Sequence, residues 1–347
     1  MTFRQYIGDD ADLIDEIVTE HGLEKNKGKG YWAGEDLETS VNVALALGRP
    51  LLVTGEPGVG KTHLGFSIAR RLGISQVLTF TSKSNSQARD LFYQYDALGR
   101  FQAAQVYASE LGAAAPSERP KPPSAADFIE YAALGRAILD AHAPEEVAHL
   151  AAGSYRHPGQ ARRSVIIVDE VDKAPRDFPN DLLIEIESLA FQVPELASKT
   201  REKAPGISPG VIKRRERPIV IITSNSERQL PDAFLRRCVF HHIEFPASAS
   251  VLHKIIIDRL GADAPHDALI SDAVELVTRL RRSSQMEKLP ATDELIAFVS
   301  ACAAIGGDFK AAARQARSAL GKSARDQKTV ETAIGDAPRV PEGGGSA

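Results

Sequence analysis

The sequence predicts an α/β fold: a parallel sheet carrying a phosphate-binding loop, followed by an all-helical region. Three observations predict it. Leu51–Thr62 (LLVTGEPGVGKT) joins an apolar strand to a glycine-rich loop and then to a helix pattern. Two further dense apolar runs, Ser164–Glu170 (SVIIVDE) and Pro218–Asn225 (PIVIITSN), end on residues suited to phosphate chemistry. From Val251 onward the apolar spacing is helical throughout.

The loop Gly55, Glu56, Pro57, Gly58, Val59, Gly60, Lys61, Thr62 is a full G-x-x-x-x-G-K-[ST] match. Its glycines let backbone N–H groups converge on an anion, and the dipole of the following helix adds to the attraction. Lys61 is the candidate for the β- and γ-phosphates and Thr62 for Mg²⁺; His63 follows as a loop-flanking candidate. After it, Leu64, Ile68 and Leu72 recur at i, i+4, i+8, and Gly73 sits where a helix C-cap glycine belongs. A chance glycine-rich turn is the weaker reading, because strand, loop and helix come in the required order.

Composition bounds the rest. The 347 residues suggest two or three domains, and 43% hydrophobic with 25% charged residues is the balance of a soluble globular chain. A net charge of -4 gives no global basic excess for nucleic acid or an anionic membrane. The two cysteines, Cys238 and Cys302, fit a reducing cytoplasm more simply than a disulfide framework. The first residues, MTFRQYIGDDADLID, lack the apolar stretch of a signal peptide, and no run approaches a membrane span. The expected location is cytoplasmic.

In chain order, residues 1–30 begin acidic (Asp9, Asp10, Asp12, Asp15, Glu16). Ile7, Leu13, Ile14, Ile17 and Val18 suggest a short amphipathic helix before an exposed loop at Lys25–Gly30. Tyr31–Leu47 reads as a helix that Gly48-Arg49-Pro50 ends. Trp32 either lines a base pocket or packs. A second strand follows at Gln76–Thr81. The stretch from about 83 to 164 is too long for a simple crossover. It reads as an insertion with helical pieces at Gln87–Leu111 and Asp127–Ala141 and a Pro/Ala/Ser-rich segment, Gly112–Ser124, at its tip. A linker between two domains explains less, because the catalytic signals resume afterwards. Asp177–Ala190 is an amphipathic helix, Phe191–Pro218 a loop or hairpin region with the basic cluster Lys213, Arg214, Arg215, Arg217, and Val239–Phe245 the last strand. His241 and His242 are adjacent on it and face opposite ways, so they read as ordinary strand residues. Helices are expected at Val251–Leu260, Ser271–Arg282, Thr292–Ala304, Phe309–Gly321 and Lys322–Ala333, and a polar tail from about 335 to 347.

The strand ends supply the second set of candidates. Asp169 is suited to holding Mg²⁺ through water, and Glu170 to acting as general base or orienter of an attacking water. Alone, such a pair is more often a solvated strand end; its place downstream of the phosphate-binding loop favours the chemical reading. Asn225 ends the next apolar strand, where an amide can bond a γ-phosphate and a lytic water without charge. Arg236 and Arg237, in LPDAFLRRC, have two readings that stand side by side: an arginine finger for a neighbouring subunit's nucleotide, or a surface pair at a helix end.

The ordered set GEPGVGKT, VIIVDE, IITSN and LPDAFLRRC resembles the AAA+ ATPases, and most of all the MoxR branch of the helix-2-insert group. The match runs from about Tyr31 to Phe245 and weakly to about Ala304. The resemblance implies a P-loop NTPase core of five parallel strands in the order 5-1-4-3-2 over residues 31–248, an all-α lid over 249–334, and ATP with Mg²⁺ as ligands. It implies a ring-shaped homo-oligomer, a hexamer, with ATP at subunit interfaces. It makes Gly55–Thr62 Walker A, Asp169 and Glu170 Walker B, Asn225 sensor 1, and Arg236 or Arg237 the finger. The sequence departs from the pattern at sensor 2: Lys288–Leu295 (KLPATDEL) has no arginine, leaving Lys288, Arg281 and Arg282 as replacements.

The expected function is a Mg-ATP-dependent ATPase that remodels a protein client, with a von Willebrand factor A-type partner as a further implication of the resemblance. Two alternatives are a nucleic-acid motor or loader, suggested by Lys213–Arg217 with Arg279, Arg281 and Arg282, and an ATP-gated switch with little hydrolysis, suggested by the missing sensor-2 arginine. Charge runs are usually solvated faces, so nucleic acid is not the expected partner.

Overall fold

A computed structural model of the chain describes residues 5–7, 12–19, 22–113, 122–197, 205–208, 212, 216–225 and 229–336. The central element is a five-stranded parallel sheet. Its strands, among the elements in chain order, follow β1 (Ile17–Thr19), β2 (Gly22–Glu24) and α1 (Glu35–Leu47). They are β3 (Leu51–Gly55), β4 (Val77–Thr81) after helix α2 (Lys61–Leu72), and β7 (Val165–Asp169) after β5 (Tyr93–Tyr95), α3 (Ala97–Ala113), β6 (Ile129–Tyr131), α4 (Ala133–Asp140) and α5 (Pro144–Val147). After α6 (Phe178–Ser188), β8 (Phe191–Gln192) and β9 (Gly206–Ile207) come β10 (Ile219–Ser224), α7 (Asp232–Leu235) and β11 (Val239–Ile243). The strand order is β11-β3-β10-β7-β4, which is the expected 5-1-4-3-2.

The sequence explains this order. Val165–Val168 and all six residues of β10 are buried, as befits strands covered on both faces. β10 pairs with β3 and β7 in register, Ser224 opposite Thr54 and Ile222 opposite both Leu52 and Val168. The carboxyl ends of β3, β7 and β10 therefore lie along one edge of the sheet, where ligands of open α/β sheets bind.

The chain divides into two compact units, residues 1–28, 33–54 and 64–241, and residues 29–32, 55–63 and 242–347. The first holds most of the sheet and one core in which Leu52, Ile166 and Ile222 pack with Leu134, Ile138, Leu182 and Phe234. Helix α4 is thus part of this core. The second holds the phosphate-binding loop and α8 (Ala249–Leu260), α9 (Asp267–Arg282), α10 (Thr292–Ile305), α11 (Phe309–Ala316) and α12 (Ala324–Gly335). Leu276, Phe298, Cys302, Leu320 and Val330 form its core, with Phe298 and Phe309 edge to face at 6.4 Å.

Two expected elements are corrected. Near the N-terminus, Ile17–Thr19 is a strand of a small antiparallel pair, with Ile17 facing in, and not the end of a helix. Its anchor is Arg70, which is fully buried and donates five hydrogen bonds to backbone carbonyls: Nε to Lys27, Nη1 to Ile14 and Asp15, Nη2 to Glu24 and Lys25, at 2.6–3.4 Å. Within 83–164, the two expected helical pieces each begin differently. A 3₁₀ turn at Ala88–Leu91 and β5 precede α3, and a 3₁₀ turn at Ala125–Phe128 and β6 precede α4; β5 and β6 pair antiparallel. The expected hairpin region after Phe191 is present as the β8–β9 pair. The segment 114–121, the basic residues 213–215 and the tail 337–347 lie outside the described residues. Both cysteines are buried free thiols. Among the described residues, no helix is long and apolar enough to cross a membrane.

Candidate functional site

In the first unit, the ends of β7 and β10 carry a connected set of polar groups. The Thr223 hydroxyl, fully buried, donates to Asp169 Oδ1 and accepts the Glu170 N–H at 3.0 Å. Asn225 Nδ2 donates to Glu170 Oε1 at 3.3 Å, and Lys173 Nζ meets the same oxygen at 2.7 Å. The Asn225 N–H donates to Asp172 Oδ1 at 3.2 Å. Asp169 and Glu170, and Asn225 from a second stretch more than fifty positions on, are thereby brought together. Glu170 sits in the left-handed region, φ 57°, an uncommon and costly conformation for a non-glycine residue, and such outliers collect at functional sites. Thr223, Lys173 and Asp172 were not singled out in the sequence. Thr223 lies in the ITSN run and Lys173 one turn beyond Glu170, so spacing alone was the available signal.

Arg236 and Arg237 are both exposed just after α7, and Arg237 Nε lies 3.9 Å from Glu187 Oε1. At that distance and exposure the pair contributes little to stability.

In the second unit, Gly55–His63 runs from the last residue of β3 through a turn into the first residues of α2, with glycines where only glycine fits. Gly58 has φ 79°, and a Cβ there would lie 3.0 Å from that of Ala291. A Cβ on Gly55 would stand 2.5 Å from the Ile243 carbonyl oxygen. Lys61 is buried, and its ammonium donates to the Gly55 and Glu56 carbonyls at 2.9 Å each. Such a backbone cradle with a lysine folded against it fits a nucleotide's phosphates. Thr62 carries a hard oxygen donor of the type that Mg²⁺ takes, and so, in the first unit, does Asp169.

Helical-region side chains reach this loop. Arg281 Nη2 donates to both carboxylate oxygens of Glu56, at 2.9 and 3.2 Å, and Nη1 donates to the Pro290 carbonyl at 2.7 Å. Its guanidinium also lies 3.9 Å from the centre of the Phe245 ring. Of the three sensor-2 replacements, Arg281 is thus fully engaged, while Lys288 and Arg282 are exposed. Arg259 Nη2 donates to His63 Nε2 at 2.6 Å, which makes that nitrogen the acceptor of the ring. The Asp293 N–H donates to the Gly58 carbonyl at 3.1 Å. Arg259 and Asp293 were not singled out in the sequence; they stand 34 positions apart and no motif joins them to the loop. Trp32 is half-buried in the short 29–32 segment of this unit. His241 Nδ1 is within 3.0 Å of Ser40 Oγ, as an ordinary strand residue would be.

A parallel sheet fed by a phosphate-binding loop, with carboxylates and an amide at its carboxyl edge, defines a nucleotide-binding α/β protein. Residues 50–238 match the AAA domain (dynein-related subfamily), and the chain belongs to the AAA+ ATPase family. A comparison with curated proteins finds no match. Among solved structures, the Thermotoga maritima RuvB Holliday junction branch migration motor is similar at 14% identity, with a TM-score of 0.38 over 86% of this chain and 67% of that one. The FIGL-1 AAA domain in complex with ADP is similar at 14% identity, with a TM-score of 0.37 over 89% of this chain and 84% of that one. Both TM-scores lie below 0.5, so neither likeness bears on function.

Proposed function

We propose that the chain hydrolyses Mg-ATP as an AAA+ ATPase of MoxR type and uses the energy to remodel a protein client. The observation that carries this reading is the bonded set Asp169–Thr223–Glu170–Asn225. It holds a carboxylate oriented by an amide next to a second carboxylate, which is an arrangement for activating water. A switch that only binds nucleotide has no use for such a base. Lys61 and the loop N–H groups would hold the phosphates, and Thr62 and Asp169 would hold Mg²⁺, which when bound neutralises phosphate charge. Glu170 would take the proton of the attacking water, with Asn225 and Lys173, both bonded to the same carboxylate oxygen, fixing its position.

Arg236 or Arg237 would serve a neighbouring subunit's nucleotide in a ring-shaped homo-oligomer, a hexamer, and the partner would be a protein, with a von Willebrand factor A-type domain as its expected class. The domain limits 31–248 and 249–334, with residues 83–164 inserted, belong to the same proposal. No observation favours the nucleic-acid reading: Arg279 donates to the Ala333 carbonyl and Arg281 to Glu56 and Pro290, so two of its three helical arginines serve internal contacts.

The test is the ATPase rate per chain against protein concentration, with Glu170→Gln as blank. A rate that rises and saturates supports a site completed by a neighbour. A flat rate above the blank removes the finger role of Arg236 and Arg237, and a rate equal to the blank at all concentrations removes the hydrolytic reading.

A further inference from the structure

The start of α10 is the place where the helical region meets the phosphate-binding loop. Asp293 N–H bonds the Gly58 carbonyl, and the Cβ position of Gly58 lies 3.0 Å from Ala291 Cβ and 3.6 Å from Asp293 Cβ. A bare helix N-terminus so placed would attract phosphate through its dipole and free N–H groups. This one is cancelled from within. Glu294 Oε2 accepts the Ala291 N–H at 2.9 Å, and the Asp293 carboxylate follows Thr292 in the first turn. Two carboxylates thus stand at the helix start that meets the loop.

The groups facing Asp293 come from three elements: Arg259 of α8, Glu294 of its own helix, and Lys61 of the loop. Partial burial pushes the Asp293 carboxyl above the usual range, with the Glu294 charge adding to it, against the pull of Arg259 and of Lys61. Arg259 is half-buried, its guanidinium held by His63 at 2.6 Å, one residue beyond Thr62. It is an always-charged fork set next to the loop from a helix other than α10.

The geometry points to a split cis charge reader at this loop: Asp293 opposes the terminal phosphate, and Arg259, positioned by His63, supplies the guanidinium that the start of α10 lacks. The pair would set how strongly the chain prefers a triphosphate over a diphosphate. The inference rests on the nucleotide reading above and adds two residues to it. Arg259 is a candidate contact to phosphate, and His63 a positioning residue.

The experiment measures dissociation constants of fluorescent N-methylanthraniloyl ATP and ADP on the full chain, in a Glu170→Gln background that stops turnover. Asp293→Asn is expected to tighten ATP about fivefold and ADP about twofold or less, the difference one unit charge makes several ångströms away in a partly solvated site. Because the Asp293 residue itself is exposed and the expected effect is a gain, misfolding cannot imitate it. Arg259→Gln is expected to weaken ATP about tenfold with little effect on ADP, and Arg259→Lys to recover part of the loss. His63→Ala should weaken ATP less than Arg259→Gln does. Equal shifts for both nucleotides, or no shift with Asp293→Asn, overturn the inference while leaving the nucleotide reading intact. Failure of the parent chain to bind either nucleotide overturns the nucleotide reading instead.

Discussion

The two sets of residues proposed for phosphate chemistry are built on different plans. At the ends of β7 and β10, side chains hold side chains: Thr223 bridges Asp169 to the Glu170 backbone, and Asn225 and Lys173 both bond the Glu170 carboxylate. At the loop Gly55–His63, backbone takes the larger share: Lys61 binds two carbonyls and Asp293 reaches the loop through its own N–H, while Arg281 and Arg259 hold the Glu56 and His63 side chains. The difference teaches where each function can be altered. A side-chain network tied through one buried hydroxyl, that of Thr223, loses several bonds at once when that member goes. A backbone cradle survives most side-chain changes, and its charge is set by residues lent from helices.

The largest expected effect separates the two plans. Glu170→Gln should cut turnover by about 10²–10⁴-fold and leave nucleotide affinity near the parent value. Lys61→Ala should instead abolish binding, as equilibrium titration with labelled ATP would show. If both substitutions lose binding alike, the division of labour drawn here is wrong.

Next in size is Arg70→Ala, which removes five hydrogen bonds from a fully buried guanidinium and leaves their carbonyls unpaired. The expected loss is about 3 kcal/mol or more, confined to the sheet-bearing unit. Cys238 lies in that unit and Cys302 in the other, both buried, so alkylation followed site by site reads each unit's opening separately. Arg70→Ala should speed labelling of Cys238 more than of Cys302; equal acceleration would mean that the units open together.

Thr223→Val keeps the shape but deletes the bridge. Stability should fall by about 1–2 kcal/mol and turnover by about tenfold, with Thr223→Ser restoring most of both. Arg281→Ala, which frees Glu56 and uncovers Phe245, is expected to cost about 1 kcal/mol and to act on Cys302 labelling alone.

The smallest effect is one of pH. Burial pushes the Cys238 thiol up to about 12 and that of Cys302 up to about 11. An unfolded thiol titrates near ~8.5, so above that pH the unfolded chain sheds these protons first. The two thiols therefore support the fold fully below pH ~8.5, and that support is lost as pH rises through 11 to 12. Urea midpoints of the parent at pH 7 and pH 10 should differ more than those of a Cys238→Ala, Cys302→Ala chain.

Much of this architecture was legible in sequence because the sheet is made of dense apolar runs. Val165–Val168 and Ile219–Ser224 have no competing helical reading once glycine, proline or charge bounds them. The N-terminal misreading has a simple cause. Ile14, Ile17 and Val18 satisfy a helical spacing, but three residues at period two satisfy a strand, and the choice was made by Arg70, more than forty positions away. In the same way Tyr93–Tyr95 became a strand only by pairing with Ile129–Tyr131 across α3. The carboxylates, the amide and the loop were found because each closes an apolar run. Arg259, Asp293 and Thr223 were missed because their meaning lies in what they face, and no local pattern records that.

The Arg70 clasp is blind to sequence on one side. Every group it grips is a main-chain oxygen, so the side chains of Ile14, Asp15, Glu24, Lys25 and Lys27 are free to be exchanged without loosening it. Since those acceptors carry no net charge and do not titrate, added salt has no paired ion to screen and acid has no partner to neutralise. The same strap would hold in brine, in dilute buffer, or after its polar surface had been rewritten, provided that one arginine is left in place.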